Sequence, residues 1–166
     1  YKGFILEQNK FQPTWTIQWL RDTYLIYEKK FNANKKVFID RADSISKHCH
    51  IQNESEVFNY LKNKGFSKYQ LTKLSFFEKV YLFRNAEIIV GAHGAAFANL
   101  VFCKPKTKVI EIRPSINPNS INERISYINK LNYRLIQTKE LDENQKKFGD
   151  IYLPIKELEH CIKSFG

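Results

Sequence analysis

The chain is 166 residues long, 43% hydrophobic and 27% charged, with a net charge of +10 and three cysteines. That is enough for one domain with its own core at near-average soluble composition, and no run approaches the roughly 18 apolar residues of a membrane span. Cys49, Cys103 and Cys161 are far apart and form no CxxC pair, which argues against a disulfide framework or a zinc knuckle.

Taken in order, residues 13–31 come first, with proline at the start, apolar or aromatic side chains at 15, 19, 20, 24, 26 and 27, and lysines at the end, the pattern of an amphipathic helix. KVFID (36–40) reads as a short buried strand, followed by a loop holding His48, Cys49 and His50. Asn53, with Glu54 and Glu56 behind it, supplies a cap and early carboxylates for a helix to Lys64, stopped by Gly65. A strand is expected near 66–71. Ser75 and Glu78 form a capping box opening a helix that runs to about Asn85.

EIIVG (87–91) is the next strand, and after Gly91-Ala92-His93-Gly94 a short helix is expected over 95–100. KVIEI (108–112) is a strand, 114–120 is rich in Pro, Asn and Ser, a helix lies near 122–131, and YRLIQT (133–138) closes the series of strands. Residues 142–150 read as a loop and 153–165 as a terminal helix with Pro154 in its first turn. Strands alternate with helices and hairpin signals are few, which predicts an α/β fold with a mostly parallel sheet in a single domain, 1–166.

With only six glycines in the chain, two of them flank His93 at a strand-to-helix junction. In a parallel sheet that junction faces the edge where ligands collect, and helix amides there receive anions. Glycine at 91 and 94 permits close backbone approach, so a diphosphate fits the turn. Twenty residues beyond Gly91, Glu111 ends the next strand, where a carboxylate accepts from ribose hydroxyls. GAHGAA is not GxGxxG, so a nicotinamide enzyme is a poor fit. The plainer alternative is a tight packing turn with His93 bonded inside the protein and Glu111 paired to a lysine or to Arg113.

The stretch LSFFEKVYLFRNAEIIVGAHGAAFANLVFCKPKTKVIEI (74–112) resembles the signature region of glycosyltransferase family 61. TIQWLRDTYL, VFIDR and IQNESEVFNYLKNKGF upstream are similar to the family's helix, its strand ending in Arg and its Asn-Glu helix start. The likeness spans roughly residues 14–138, and VGAHGAAFAN is its most specific element. It implies an inverting transferase of two-domain GT-B type, with this chain as the Rossmann-like donor half, helices on both faces of its sheet. It implies a nucleotide-sugar donor, UDP-linked in several members, and a glycan or protein acceptor.

Carried over by position, the implied donor-site residues are Arg41, Gly91, Gly94, Ala95, Asn99 and Glu111, with His93 as the catalytic candidate. Arg41 would neutralise diphosphate, Gly94 and Ala95 would offer amides, and Glu111 would hold ribose. Ala96 stands where the family usually has Gly, Lys79 where it has Gln, and His50 near a usual Arg. Neither a cofactor nor a bound metal is expected. An amino-terminal acceptor domain is the implied partner, and the absence of methionine and of a leader at Tyr1 suits a piece of a longer protein. The implied location is cytoplasmic or peripheral to a membrane for a bacterial-type enzyme, and the Golgi or ER lumen for a eukaryotic one.

The charge alone favours an anionic partner of some kind. Lysines fall as singles and doublets, not as one block, so much of the charge reads as solvated surface; a nucleic-acid-binding domain using that charge and a nucleotide-binding module without transfer activity are the rival readings. His48 and His50 lack a third ligand and read as a surface loop. Asn53-Glu54-Ser55 reads as a cap before a glycosylation site, and Trp15, Trp19, Tyr24 and Tyr27 as a domain interface. Asp40, Asp43, Glu54 and Glu87 are all candidates for the general base, and none is singled out by spacing.

Overall fold

The computed structural model describes residues 13–42, 49–115, 120–138 and 149–165. Five strands, β1 (Lys36–Asp40), β2 (Ser67–Gln70), β3 (Ile88–Ala92), β4 (Lys108–Pro114) and β5 (Asn132–Thr138), form one sheet in the order β2-β1-β3-β4-β5. Every pairing is parallel, as the alternation of elements predicted. The helices are α1 (Thr14–Tyr24), α2 (Glu54–Asn63), α3 (Phe76–Asn85), α4 (Ile121–Ile128) and α5 (Ile155–Lys163), with a 3-10 helix over Ala95–Phe102.

Alternate strand residues face two separate cores, because side chains in a strand point to opposite sides. Val37, Ile39, Ile89 and Val109 join Ile17 of α1, Phe83 of α3, Phe97 of the 3-10 helix and Ile125 of α4. On the other side Phe38, Val90, Ile110 and Ile112 pack with Val57 and Leu61 of α2 and Leu158 of α5. Helices therefore cover both faces, which is why the central strands are almost continuously apolar. Among the described residues, no helix is long and apolar enough to cross a membrane.

Three local expectations change. The first helix stops at Tyr24 and passes through a 3-10 turn at Leu25–Tyr27. Contacts with α3 draw the chain away there: the Lys29 amide bonds the Phe77 carbonyl at 3.1 Å, and Lys29 and Glu28 pair with Glu78 and Arg84. Asn53 occupies the cap position but makes no capping bond. Its amide instead exchanges two bonds with the backbone of Leu153, at 2.9 and 3.0 Å, stapling the start of α2 to the segment before α5. The short helix expected after Gly94 forms as a 3-10 helix and runs on to Phe102. The capping box of Ser75 and Glu78 forms as read from the sequence, with hydrogen bonds in both directions. His48 and most of the 142–150 loop lie outside the described residues.

Candidate functional site

The strand order places a switch point between β1 and β3: the chain moves outward from β1 to β2, then returns across it to β3 and continues to β4 and β5. A crevice opens at the carboxyl ends of such a strand pair, because the connections leave in opposite directions. Arg41 follows β1 and His93 follows β3, so both stand at the carboxyl edge of this strand pair.

The two glycines of the turn have different reasons to be there. Gly91 pairs with Ile39 of β1 and with Glu111 of β4. A Cβ on it would lie 3.1 Å from Ile39 Cβ and 3.2 Å from Phe97 Cε2, so it is small because the 3-10 helix packs directly onto the sheet. Gly94 has φ 157° and ψ −178°, a region essentially confined to glycine. A Cβ there would fall 1.5 Å from Arg41 Nη1, because the guanidinium lies over the glycine and donates to the His93 carbonyl. Where the sequence predicts a diphosphate approaching the backbone at Gly94, the group lying against it in this structure is the Arg41 guanidinium.

The 3-10 geometry has its own effect on the amides. Phe97 N–H bonds the Gly94 carbonyl at 3.0 Å, closing the first turn one residue earlier than an α-helix would. Among the described residues no acceptor takes the amides of Ala95 or Ala96. Ala95 is exposed. Arg41 and these two amides thus bring positive charge and N–H donors to one place.

Behind them lies a buried polar cluster. His93 is 8% exposed and Glu111 is fully buried, and His93 Nδ1 is hydrogen-bonded to Glu111 Oε1. Asn122 Nδ2, from the first turn of α4, donates to the same oxygen at 2.9 Å, and the Tyr133 hydroxyl of β5 donates to Oε2. Burial pushes the Glu111 carboxyl up, but the hydrogen bonds from His93, Tyr133 and Asn122 outweigh it and hold the group below the usual carboxylate range. Burial, then the Glu111 charge, push the Tyr133 phenol well above its ordinary value. An ionised Glu111 only accepts, so Nδ1 of His93 carries a proton.

The structure therefore brings together Arg41, His93, Gly94, Ala95 and Glu111. Glu111 takes a different part from the ribose contact expected of it: both its oxygens accept from protein donors, and the partners are neither a lysine nor Arg113. Gly91 lies in the packed interior beneath the site. Asn99 turns its amide onto the Ala96 carbonyl at 2.9 Å, within its own helix. Of the base candidates, Asp40 is held by Gln70 at 2.9 Å and the Ala42 amide at 2.7 Å, and Glu54 by Lys68 at 2.5 Å. Glu87 pairs with Lys35 at the opposite edge of the sheet, and Asp43 lies outside the described residues. Among the described residues no group of three His, Cys, Asp or Glu side chains is arranged to hold a metal ion.

Asn122 and Tyr133 were not singled out in the sequence. Tyr133 is opposite Val109, two residues before Glu111 on the same face, a relation that needs the β4–β5 register. Cys49 is also buried, at φ 57°, with its thiol pushed up to about 12 by burial against the opposing influence of Arg41.

Residues 4–110 match the family model described as Glycosyltransferase 61. Over 164 residues the chain is 28% identical to Beta-1,2-xylosyltransferase RCN11 of Oryza sativa subsp. japonica, in a match covering 89% of this chain. It spans 29% of that relative's length.

Proposed function

The chain belongs to the glycosyltransferase 61 family, and from that premise we propose that it is the donor-binding part of an inverting glycosyltransferase that takes a nucleotide sugar. The observation that carries this reading is the meeting of Arg41, the Ala95 and Ala96 amides and the Glu111-held His93 at the β1–β3 switch point. The named relative makes UDP-xylose the first donor to try, with a glycan or protein hydroxyl as acceptor.

In the proposed reaction the acceptor oxygen forms a bond to the anomeric carbon while that carbon's bond to the diphosphate breaks. Charge grows on the departing diphosphate, and the residues at this edge suit that moment. Arg41 offers a planar fork of donors to phosphate oxygens, and the amides after Gly94 add further N–H groups. A helix end contributes about 0.3–1 kcal/mol to an anion at the surface, so Arg41 and direct hydrogen bonds carry more of the stabilisation than the dipole. On binding, the guanidinium would exchange the His93 carbonyl for the diphosphate.

His93, held through Nδ1, would donate from Nε2 to the leaving phosphate oxygen when the ring carries a proton on both nitrogens. Glu111 is then a positioning residue that fixes the ring's orientation and tautomer. The base that receives the acceptor proton is assigned to the other half of a GT-B pair, across the cleft. This route needs no metal at the leaving group, since Arg41 supplies the compensating charge.

The experiment is a transfer assay on the full-length protein with UDP-xylose and other nucleotide sugars, scored by nucleoside diphosphate release. Turnover in the wild type with a loss of at least about a hundredfold in His93→Ala supports the reading. UDP binding without turnover by any donor would instead make this a non-catalytic nucleotide-binding module.

A further inference from the structure

The end of the sheet remote from His93 carries a second concentration of charge. Lys36, Ile88 and Lys108 are the first residues of β1, β3 and β4, so this edge is separated from Arg41 and His93 by the length of the strands, about 15 Å. A cavity of about 560 Å³ opens here, rimmed by Lys36, Lys64, Lys104, Lys106 and Lys108. Among the described residues Glu87 is the one carboxylate in its wall, and Lys35 holds it at 3.0 Å. Among the described residues none of the five rim lysines is in an ion pair.

Neutral partners position four of them: Lys36 Nζ donates to the Lys64 carbonyl at 2.9 Å, Lys104 Nζ to Asn85 Oδ1 at 3.4 Å, and Lys64 and Lys108 Nζ lie 5.8 and 5.6 Å from the Tyr60 and Phe165 ring centres. Lys106 has φ 70°, a left-handed conformation that glycine or asparagine adopts at less cost. Its amide is fixed to the Lys130 carbonyl at 2.8 Å, so the strained turn holds a lysine at the rim. The floor is apolar, formed by Phe66, Ala86, Ile88 and Ile162. Five like charges around an apolar-floored hollow raise a positive potential, opposed among the described wall residues by the Lys35-paired Glu87 alone.

We propose that this edge is a second anion site, which takes a phosphate group joined to an apolar or glycerol-like moiety. The phosphate would be shared among the lysines, acting as mobile point charges, while the carbon portion covers the floor. Such a group is carried by an acidic lipid headgroup or by a soluble phosphate ester, and the test separates the two sources. The donor site faces the opposite way, so occupancy here leaves that crevice open.

The intact protein is sedimented with phosphatidylcholine vesicles, with and without phosphatidylserine, and separately titrated with glycerol 3-phosphate while the amides of Lys104, Lys106, Thr107 and Lys108 are followed by NMR. The variants are Lys104→Gln/Lys106→Gln and, as a charge-matched control on other exposed lysines, Lys30→Gln/Lys73→Gln. Preferential binding to the acidic vesicles, weakened about fivefold for each rim lysine removed and by less than twofold in the control, supports a lipid source. Saturable amide shifts with glycerol 3-phosphate, lost in the rim variant alone, support a soluble one. The proposal is overturned if neither probe binds, or if both variants respond alike. Unchanged UDP titration of the rim variant shows that it is folded and keeps this test independent of the donor site.

Discussion

His93 at the end of β3 and Glu111 on β4 form a buried hydrogen-bonded pair, joining the Gly-His-Gly turn to the adjacent strand through a carboxylate with no exposure to solvent. Asn122 and Tyr133 complete it from a helix and a third strand. The turn is thereby a fixed platform, and its exposed upper surface is the part left for a ligand.

Replacing Glu111 by Gln keeps the shape and removes the charge, so the bonds from His93, Asn122 and Tyr133 all lose their charge assistance and the new amide NH2 can no longer accept on its side. The expected cost is about 1.5–3 kcal/mol of unfolding free energy, measured by urea denaturation at neutral pH. The ordinary value of 4.5 for this carboxyl is lowered in the folded chain. Its contribution is therefore complete above about pH 4.5 and is lost as pH falls through the folded value. The wild type should lose stability on that acid limb, and Glu111→Gln should show a flatter one. Equal slopes would mean that Glu111 is not held as an anion.

Tyr133→Phe deletes the donor to Glu111 Oε2 alone. It should cost about 0.5–1.5 kcal/mol, and combined with Glu111→Gln the two losses should fall short of their sum. Strict additivity in a double-mutant cycle would contradict the shared cluster. The same tyrosine should stay protonated in an alkaline ultraviolet titration until the fold is lost, because burial and the adjacent carboxylate raise its pKa.

Gly91→Ala and Gly94→Ala separate packing from ligand contact. The first overfills the space between Ile39 and Phe97 and should destabilise by about 1–3 kcal/mol. The second meets the Arg41 guanidinium at 1.5 Å and must displace it. A drop in UDP affinity at Gly94→Ala larger than any at Gly91→Ala, each measured on the folded fraction by calorimetry, is the expected order. The reverse order would remove Gly94 from the site.

Much of this architecture is legible in the chain because its cues are local. The Ser75–Glu78 box, the apolar strand runs and Pro154 each act within one turn or one strand. What escaped depends on pairs distant in sequence. Asn53 has the composition of a cap, yet Leu153 offers it two backbone bonds, and that competition cannot be seen from its neighbours. Gly91 and Gly94 look equivalent as residues, and only the packing of Phe97 and the reach of Arg41 distinguish them. Glu111 has the spacing of a ribose ligand, but the β4–β5 register delivers Tyr133 to it and α4 delivers Asn122. The cavity's rim lysines come from three separate segments that look like ordinary solvated charge when read in a line.

Buried thiols offer a check on the packing around the site. Cys49 and Cys103 are fully buried and burial raises both thiols, whereas Cys161 is half-buried. In the native protein at pH 8, Ellman's reagent should react with Cys161 first and reach the other two only on unfolding. Rapid labelling of Cys49 would show that the region beside Arg41 opens.

The most direct measurement is a UDP titration of isotopically labelled protein followed through its backbone amide resonances, in the wild type and in Arg41→Ala. Saturable shifts centred on residues 41 and 93–97, with affinity reduced at least about tenfold in Arg41→Ala, are the predicted result. No shift at those amides, or the same titration curve with and without the guanidinium, would contradict a donor diphosphate at the β1–β3 edge.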